Sequence, residues 1–213
     1  MNYYVIIGAV VVVAIIVAIV INHEKKKRYQ EILIAIQNKD HKTFNKLLES
    51  KSTKFLYPAM YLDSLRLNEA MLRDNKDDVD KVLTRLTKNK LKPKDKESVY
   101  AQAYNYYLSL KDNEKTKEWY LKIQELDNDR LKKEISRTYD IYVEKGYKYL
   151  DEMLNEVENM DPTNAGVNGF LISSMYQNKG DKENAKKYRQ LSEKHIKQLD
   201  EETANKLKKK EKK

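Results

Sequence analysis

Cysteine is absent from the 213 residues, which excludes disulfides, thiolate metal sites and cysteine nucleophiles at once. Glycine (5) and proline (3) are scarce, and Leu, Lys, Glu, Asn and Tyr fill most of the chain, a composition that favours helix over sheet or disorder. The five glycines, Gly8, Gly146, Gly166, Gly169 and Gly180, form no phosphate-cradling loop. His23, His41 and His195 are too scattered for a metal-ligand pattern. Asp77, Asp78 and Asp80 cluster, but without the glycine and distal Glu of a calcium loop, and they read as the carboxylate-rich start of a helix. No nucleophile elbow or paired-carboxylate arrangement can be picked out. The expectation is therefore a non-enzymatic protein with no cofactor and no metal.

The formal charge of +9 is uneven. Residues 22–60 carry +5 and residues 163–213 carry +6, while residues 136–162 carry −4. Basic charge thus gathers beside the N-terminal segment and in the C-terminal part, not along one groove. The 16 tyrosines and Trp119 alternate with lysines in places, a pattern that can stack nucleic-acid bases. Most of them, including Tyr104, Tyr107, Tyr120, Tyr142 and Tyr176, instead fall at helical core spacing, so nucleic acid is not the expected partner.

From Tyr3 to Ile21 there is no charged residue and nearly every position is Val, Ile, Ala or Gly. As a helix, that run spans roughly the 30 Å of bilayer hydrocarbon. Met1 to Tyr4 has no Lys or Arg, so the run predicts an uncleaved anchor and not a signal peptide. His23-Glu24-Lys25-Lys26-Lys27-Arg28 follows it, and by the positive-inside rule this places the N-terminus outside and the remainder in the cytoplasm. Lys25, Lys26, Lys27 and Arg28 are the expected membrane-surface residues, facing anionic headgroups.

The rest of the chain repeats. Tyr29, Ile32, Leu33 and Ile36 fall at i, i+3, i+4 and i+7, as do Val79, Val82, Leu83 and Leu86, and Tyr100, Ala103, Tyr104 and Tyr107. Each set is an apolar stripe on a helix. Between stripes stand similar breaks containing Lys39, Lys76, Lys111, Lys145 and Lys179, at intervals of 37, 35, 34 and 34 residues. Asp40, Asp77, Asp112 and Asp181 are placed to cap the following helices, and Gly146 or Gly180 to take a left-handed backbone. Five helix hairpins are predicted, at about 25–51, 55–90, 96–126, 129–160 and 163–200, stacked into a solenoid because none buries its apolar face alone.

This pattern resembles the tetratricopeptide repeat family. The likeness is clearest over residues 163–195, where Ile172, Ser173 and Tyr176 match the first helix, Gly180-Asp181 the turn, and Ala185 and Tyr188 the second helix. The second-helix small residue is Ala only at 185, with Phe44, Val79, Thr116 and Leu150 elsewhere. The resemblance implies protein or peptide binding on a concave face lined by first helices. Carried onto this sequence, that face includes Ala101, Asn105, Tyr139, Phe170, Ser174 and Gln177. It also implies no chaperone-type carboxylate clamp, since only Asn105 matches that motif, while Ala101, Tyr139, Val167 and Leu171 stand at its other positions.

The expected architecture is all-α. A transmembrane anchor (1–22) and a basic juxtamembrane segment (23–28) precede a repeat domain (29–200) and a basic C-terminal tail (201–213). The expected function is a single-pass cell-membrane scaffold or adaptor that meets protein partners at the cytoplasmic face. The alternatives are an export or envelope-assembly accessory factor with the solenoid outside the cell, or a basic RNA- or lipid-associated protein.

Overall fold

The computed structural model describes the backbone of residues 3–88, 90–157 and 162–211, and the side chains of residues 15–88, 90–157, 164–198 and 201. Among the described residues there are eleven α-helices and no strand: α1 (Tyr3–Gln37), α2 (His41–Glu49), α3 (Lys51–Leu56), α4 (Ala59–Leu72), α5 (Lys76–Lys88), α6 (Pro93–Ser109), α7 (Asn113–Gln124), α8 (Asp129–Tyr142), α9 (Leu150–Val157), α10 (Pro162–Lys179) and α11 (Lys182–Glu211). The chain divides into two compact units, residues 1–92 and 93–213.

Of the five predicted hairpins, α1/α2, α4/α5, α6/α7 and α10/α11 are packed helix pairs, whereas α9 packs chiefly on α10 and meets α8 through ion pairs from Lys133 and Arg137 to Glu152 and Glu156. The turns after α1, α4, α6, α8 and α10 share one feature, a left-handed residue. Lys39, Asp74, Lys111, Lys145 and Gly180 each take positive φ, between 54° and 85°, at intervals of 35, 37, 34 and 35 residues. In four of them the next residue's N–H reaches back to close the first helix: Asp40 to Ala35 O, Asn75 to Ala70 O, Asp112 to Tyr107 O and Asp181 to Tyr176 O, all within 2.8–3.0 Å. The same four residues then accept a hydrogen bond through their side chains from a backbone N–H three positions on, so one residue ends one helix and caps the next. The second cap is Asn75 and not the expected Asp77.

Five residues past each left-handed position stand Phe44, Val79, Thr116, Leu150 and Ala185, all buried. The residues that departed from the expected small side chain therefore occupy equivalent core positions, filled by larger groups.

Four of the five left-handed positions carry a side chain that disfavours that backbone by about 1–2 kcal/mol. Lys111→Gly is expected to stabilise the chain by about 0.5 kcal/mol, the relief being partly offset by the greater freedom of glycine when unfolded. Urea unfolding of the full chain in detergent micelles, read by Trp119 emission, checks this.

In the first unit, Ile32 and Ala35 of α1 pack with Phe44, Leu48, Leu62 and Leu65. Helices α4 and α5 close over Leu67, Ala70, Val79, Val82, Leu83 and Leu86. Helix α3 was not expected. It is a six-residue turn of helix between α2 and α4, opened by Ser50, whose hydroxyl accepts from Thr53 N–H at 3.2 Å.

The basic juxtamembrane segment 23–28 is not a separate element. It lies inside α1, which runs unbroken from Tyr3 to Gln37. Residues 3–14 of the expected membrane span lie outside the described side chains. Among the described residues, no helix is long and apolar enough to cross a membrane. The tail boundary expected at 200 falls inside α11, which continues to Glu211; the side chains of residues 202–213 lie outside the described ones.

The second unit centres on Tyr104, Tyr107, Trp119 and Ile123 between α6 and α7, and on Ile141, Leu150, Met153, Ile172 and Met175 among α8, α9 and α10. The fourth turn differs from the others. Gly146 N–H bonds Asp140 O at 2.7 Å, and Lys145 and not Gly146 is left-handed. Gly146 makes room in another way: a Cβ there would run into the Asp140 carboxylate, which accepts Lys148 N–H at 3.1 Å and would have to move. Asn178 of α10 secures this loop by donating to the Ile141 and Gly146 carbonyls, both at 2.9 Å.

Candidate functional site

Three hollows follow the first helices of the second unit. Between α6 and α8, a cavity of about 480 Å³ is lined by Ser98, Ala101, Leu131 and Glu134 among others. Between α8 and α10, one of about 470 Å³ is lined by Glu134, Arg137, Thr138, Val167 and Leu171. Arg130 and Glu134 belong to both, so the two adjoin as one groove. A third hollow, about 530 Å³, lies at the C-terminal ends of α6 and α8 against Asn105, Leu108, Lys111, Tyr142 and Lys145.

The groove floor is charged but internally compensated. Arg137 Nη2 lies 2.6 Å from Glu156 and 3.3 Å from Glu152, and Lys133 Nζ reaches the same two carboxylates at 3.4 and 2.5 Å. Burial works to lower the Arg137 pKa, but its bonds to Glu156 and Glu152 outweigh that and hold it raised. The Arg137 hydrogen bond lowers the Glu156 pKa, and the Lys133 hydrogen bond lowers that of Glu152. All four groups are therefore ionised across the neutral range. Nearer the rim, Arg130 Nε meets Glu134 at 3.0 Å with both side chains exposed. Such a pair contributes only about 0.3–0.5 kcal/mol and can exchange partners readily. Val167, 59% exposed, adds apolar surface on α10. A groove of this kind offers an extended chain apolar contact beside exchangeable charges of both signs.

The structure separates the residues expected on this face. Ala101 and Asn105 of α6 do line hollows. Tyr139 does not: it is buried, and its ring stacks on Tyr120 of α7 at 4.1 Å. The preceding residue, Thr138, faces the groove and meets the Tyr104 hydroxyl at 2.9 Å. On a helix one residue is a rotation of about 100°, enough to move a side chain from the groove to the α7 interface. Phe170 lies under the Arg189 guanidinium of α11, 4.7 Å from its ring centre, and so belongs partly to the α10/α11 contact. Ser174 is half-buried and donates to Phe170 O at 3.1 Å, and its hydroxyl bond acts to lower the burial-raised pKa of Tyr142. Gln177 is exposed. The groove residues not anticipated are Arg130, Glu134, Arg137 and Thr138. The i, i+4, i+8 spacing of Arg130, Glu134 and Thr138 on α8 was the available signal.

The basic residues of the first unit also divide. Lys26 and Lys27 are exposed. Lys25 is half-buried, and its carbonyl accepts the Tyr57 hydroxyl at 2.5 Å. Arg28 pairs with Glu31 at 2.8 Å and donates to Ser52 Oγ at 3.3 Å, tying α1 to α3. His41 lies 3.0 Å from Glu69, which also receives Arg73 Nε at 2.7 Å. Arg73 bridges on to Asp78 at 2.7 Å, and that hydrogen bond lowers the Asp78 pKa. His41 and Asp78 are thus parts of a polar layer joining α2, α4 and α5. Among the described residues, no three His, Cys, Asp or Glu side chains are grouped to hold a metal ion.

No family model, curated protein or solved structure matches this chain.

Proposed function

We propose that this chain is a single-pass membrane adaptor that holds a protein or peptide partner at the cytoplasmic face, with hairpins of the tetratricopeptide kind. The observation that carries the binding half of this reading is the groove along α6, α8 and α10, where apolar Ala101, Leu131 and Val167 alternate with the exchangeable Arg130 and Glu134. The anchoring half rests on the uncharged run from Tyr3 to Ile21. Within it, Ile15, Ile16, Val17, Ile19 and Val20 are each about half exposed, 49–63%, and the run offers no charged side chain to any side of the helix. A helix apolar all round needs an apolar surrounding. Lys25, Lys26 and Lys27 then mark the inner side, and the scattered chemistry of the sequence supports a non-enzymatic role.

Two measurements test it. Protease added to intact cells is expected to spare residues 29–213 and to digest them only after permeabilisation; digestion in intact cells would favour an envelope or export role. A photo-crosslinking amino acid at Val167 in the groove is expected to capture a discrete partner, while one at Leu121, 52% exposed on α7, captures none. Equal capture at both positions would overturn the groove as the binding face.

A further inference from the structure

Phe55 is 80% exposed, the most exposed large hydrophobic side chain among the described residues. It sits on α3, and α3 is held at a definite height on α1. Tyr57, just past α3, donates its hydroxyl to the Lys25 carbonyl at 2.5 Å, and Arg28 donates to Ser52 Oγ at 3.3 Å. Lys25 is four residues beyond Ile21, the last residue of the apolar run, about 6 Å further along the helix. The headgroup region is about 5–7 Å deep on each side of the hydrocarbon. If residues 3–21 span the bilayer, α3 is pinned at headgroup level.

The surroundings of α3 have the chemistry of that level. Tyr57 stacks on Tyr61 with ring centres 5.0 Å apart. Burial, with Tyr29 nearby, raises the pKa of both hydroxyls. Tyr29, Tyr57 and Tyr61 thus lie together, and the exposed Phe55 stands two residues before Tyr57 in the chain; tyrosines and other aromatics of this kind are enriched at membrane–water boundaries. Lys26 and Lys27, next to Lys25 on α1, are exposed, as is Lys51, one turn before Phe55 on α3, and Lys54 makes a surface pair with Glu49. Exposed lysines beside an unburied aromatic fit an anionic lipid surface, where apolar insertion and charge attraction add.

We infer that α3 is a second membrane contact: Phe55 inserts at the boundary between headgroups and acyl chains while Lys26, Lys27, Lys51 and Lys54 meet anionic headgroups, fixing the tilt of the first unit on the bilayer. This rests on the anchor reading above, and the test separates the two. Because the chain has no cysteine, single nitroxide labels can be placed at Ile15→Cys, Phe55→Cys and Leu72→Cys. Leu72 is a comparably exposed apolar residue (73%) on α4. The full chain is reconstituted into phosphatidylcholine vesicles with or without phosphatidylglycerol, and label depth is read from relative accessibility to oxygen and to a water-soluble nickel chelate.

The expected result is label 15 in the hydrocarbon, label 55 at the interface and label 72 in water. Label 55 should lie deeper when phosphatidylglycerol is present, and should return toward the aqueous value on adding Lys51→Glu and Lys54→Glu. Label 15 in hydrocarbon with label 55 as aqueous as label 72 overturns the α3 contact and leaves the anchor standing. An aqueous label 15 overturns the anchor itself. Dipolar broadening between labels at position 55, lost on dilution with unlabelled protein, shows a second copy covering Phe55 and overturns the lipid contact.

Discussion

Leucine in place of Gly169 is expected to force α10 and α11 apart and to remove about 3 kcal/mol of stability from the end of the second unit. The two helices meet almost backbone to backbone. A Cβ at Gly169 would stand 3.3 Å from Tyr188 O and 3.5 Å from Ser192 Cβ, and one at Gly166 would stand 3.2 Å from His195 Cβ. One turn further, Ser173 Oγ donates to Ala185 O at 2.7 Å, which a separated pair of helices cannot keep. Alanine is a different case. Its methyl needs a shift of only a few tenths of an ångström, and its helix propensity exceeds that of glycine by about 1 kcal/mol, so Gly169→Ala is expected to lie within about 1 kcal/mol of the wild type. Amide hydrogen exchange over residues 164–198 distinguishes these outcomes. Unchanged protection in Gly169→Leu would show that the helices do not pack through this face.

A second large effect is expected at Tyr104. The side chain is fully buried, and its hydroxyl lies 2.9 Å from Thr138 Oγ1 and 3.4 Å from Ile135 O, joining α6 to α8 beneath the groove. Tyr104→Ala removes a ring from a packed interior and should destabilise by about 3–5 kcal/mol. Tyr104→Phe keeps the ring and loses about 1 kcal/mol of hydrogen bonding. Burial pushes the Tyr104 hydroxyl up to about 12, against the Thr138 bond, which acts to lower it. A folded value above the ordinary 10 means that this contribution is complete below pH 10 and is lost as pH rises toward 12. The wild type should therefore lose stability faster than Tyr104→Phe between pH 10 and 12. Trp119, buried on α7 of the same unit, reports both series by fluorescence during urea unfolding. Parallel alkaline profiles would show that the Tyr104 hydroxyl is already solvated in the folded chain.

The hairpins were readable in advance because apolar stripes at 3.6-residue spacing and polar breaks are local signals. Residues 39–40, 75–76, 111–112 and 180–181 all fall in or beside turns, and the buried stripe Val79, Val82, Leu83 and Leu86 is the one expected. What was missed depends on contacts distant in sequence. Of the two glycines suited to a left-handed backbone, Gly180 adopts it, whereas Gly146 makes room for Asp140 and Lys145 takes the left-handed position in that turn. Helix α3 is too short for periodicity to register, and it is held in place by Lys25 and Arg28, more than twenty residues earlier. The groove was half legible. Ala101 and Asn105 follow from their positions on α6, but the face of α8 depends on how α7 and α10 clasp it, which turns Thr138 to the groove and Tyr139 to α7.

The residues that both finish one helix and begin the next leave the hairpins without slack. Asp112 bonds back to Tyr107 through its N–H and forward to Lys115 through its carboxylate, so the phase of α7 is geared to that of α6. One extra residue between Lys111 and Asp112 would turn α7 by about 100° and swing Thr116, Trp119 and Ile123 from the interior toward water. At the joint between the α6/α7 and α8/α9 hairpins the two roles are divided: Glu125 closes α7, and a different residue, Asn128, opens α8. A change in chain length is therefore absorbed more readily at the α7–α8 joint than inside the α6/α7 hairpin, which passes through such changes as a cassette of fixed gauge.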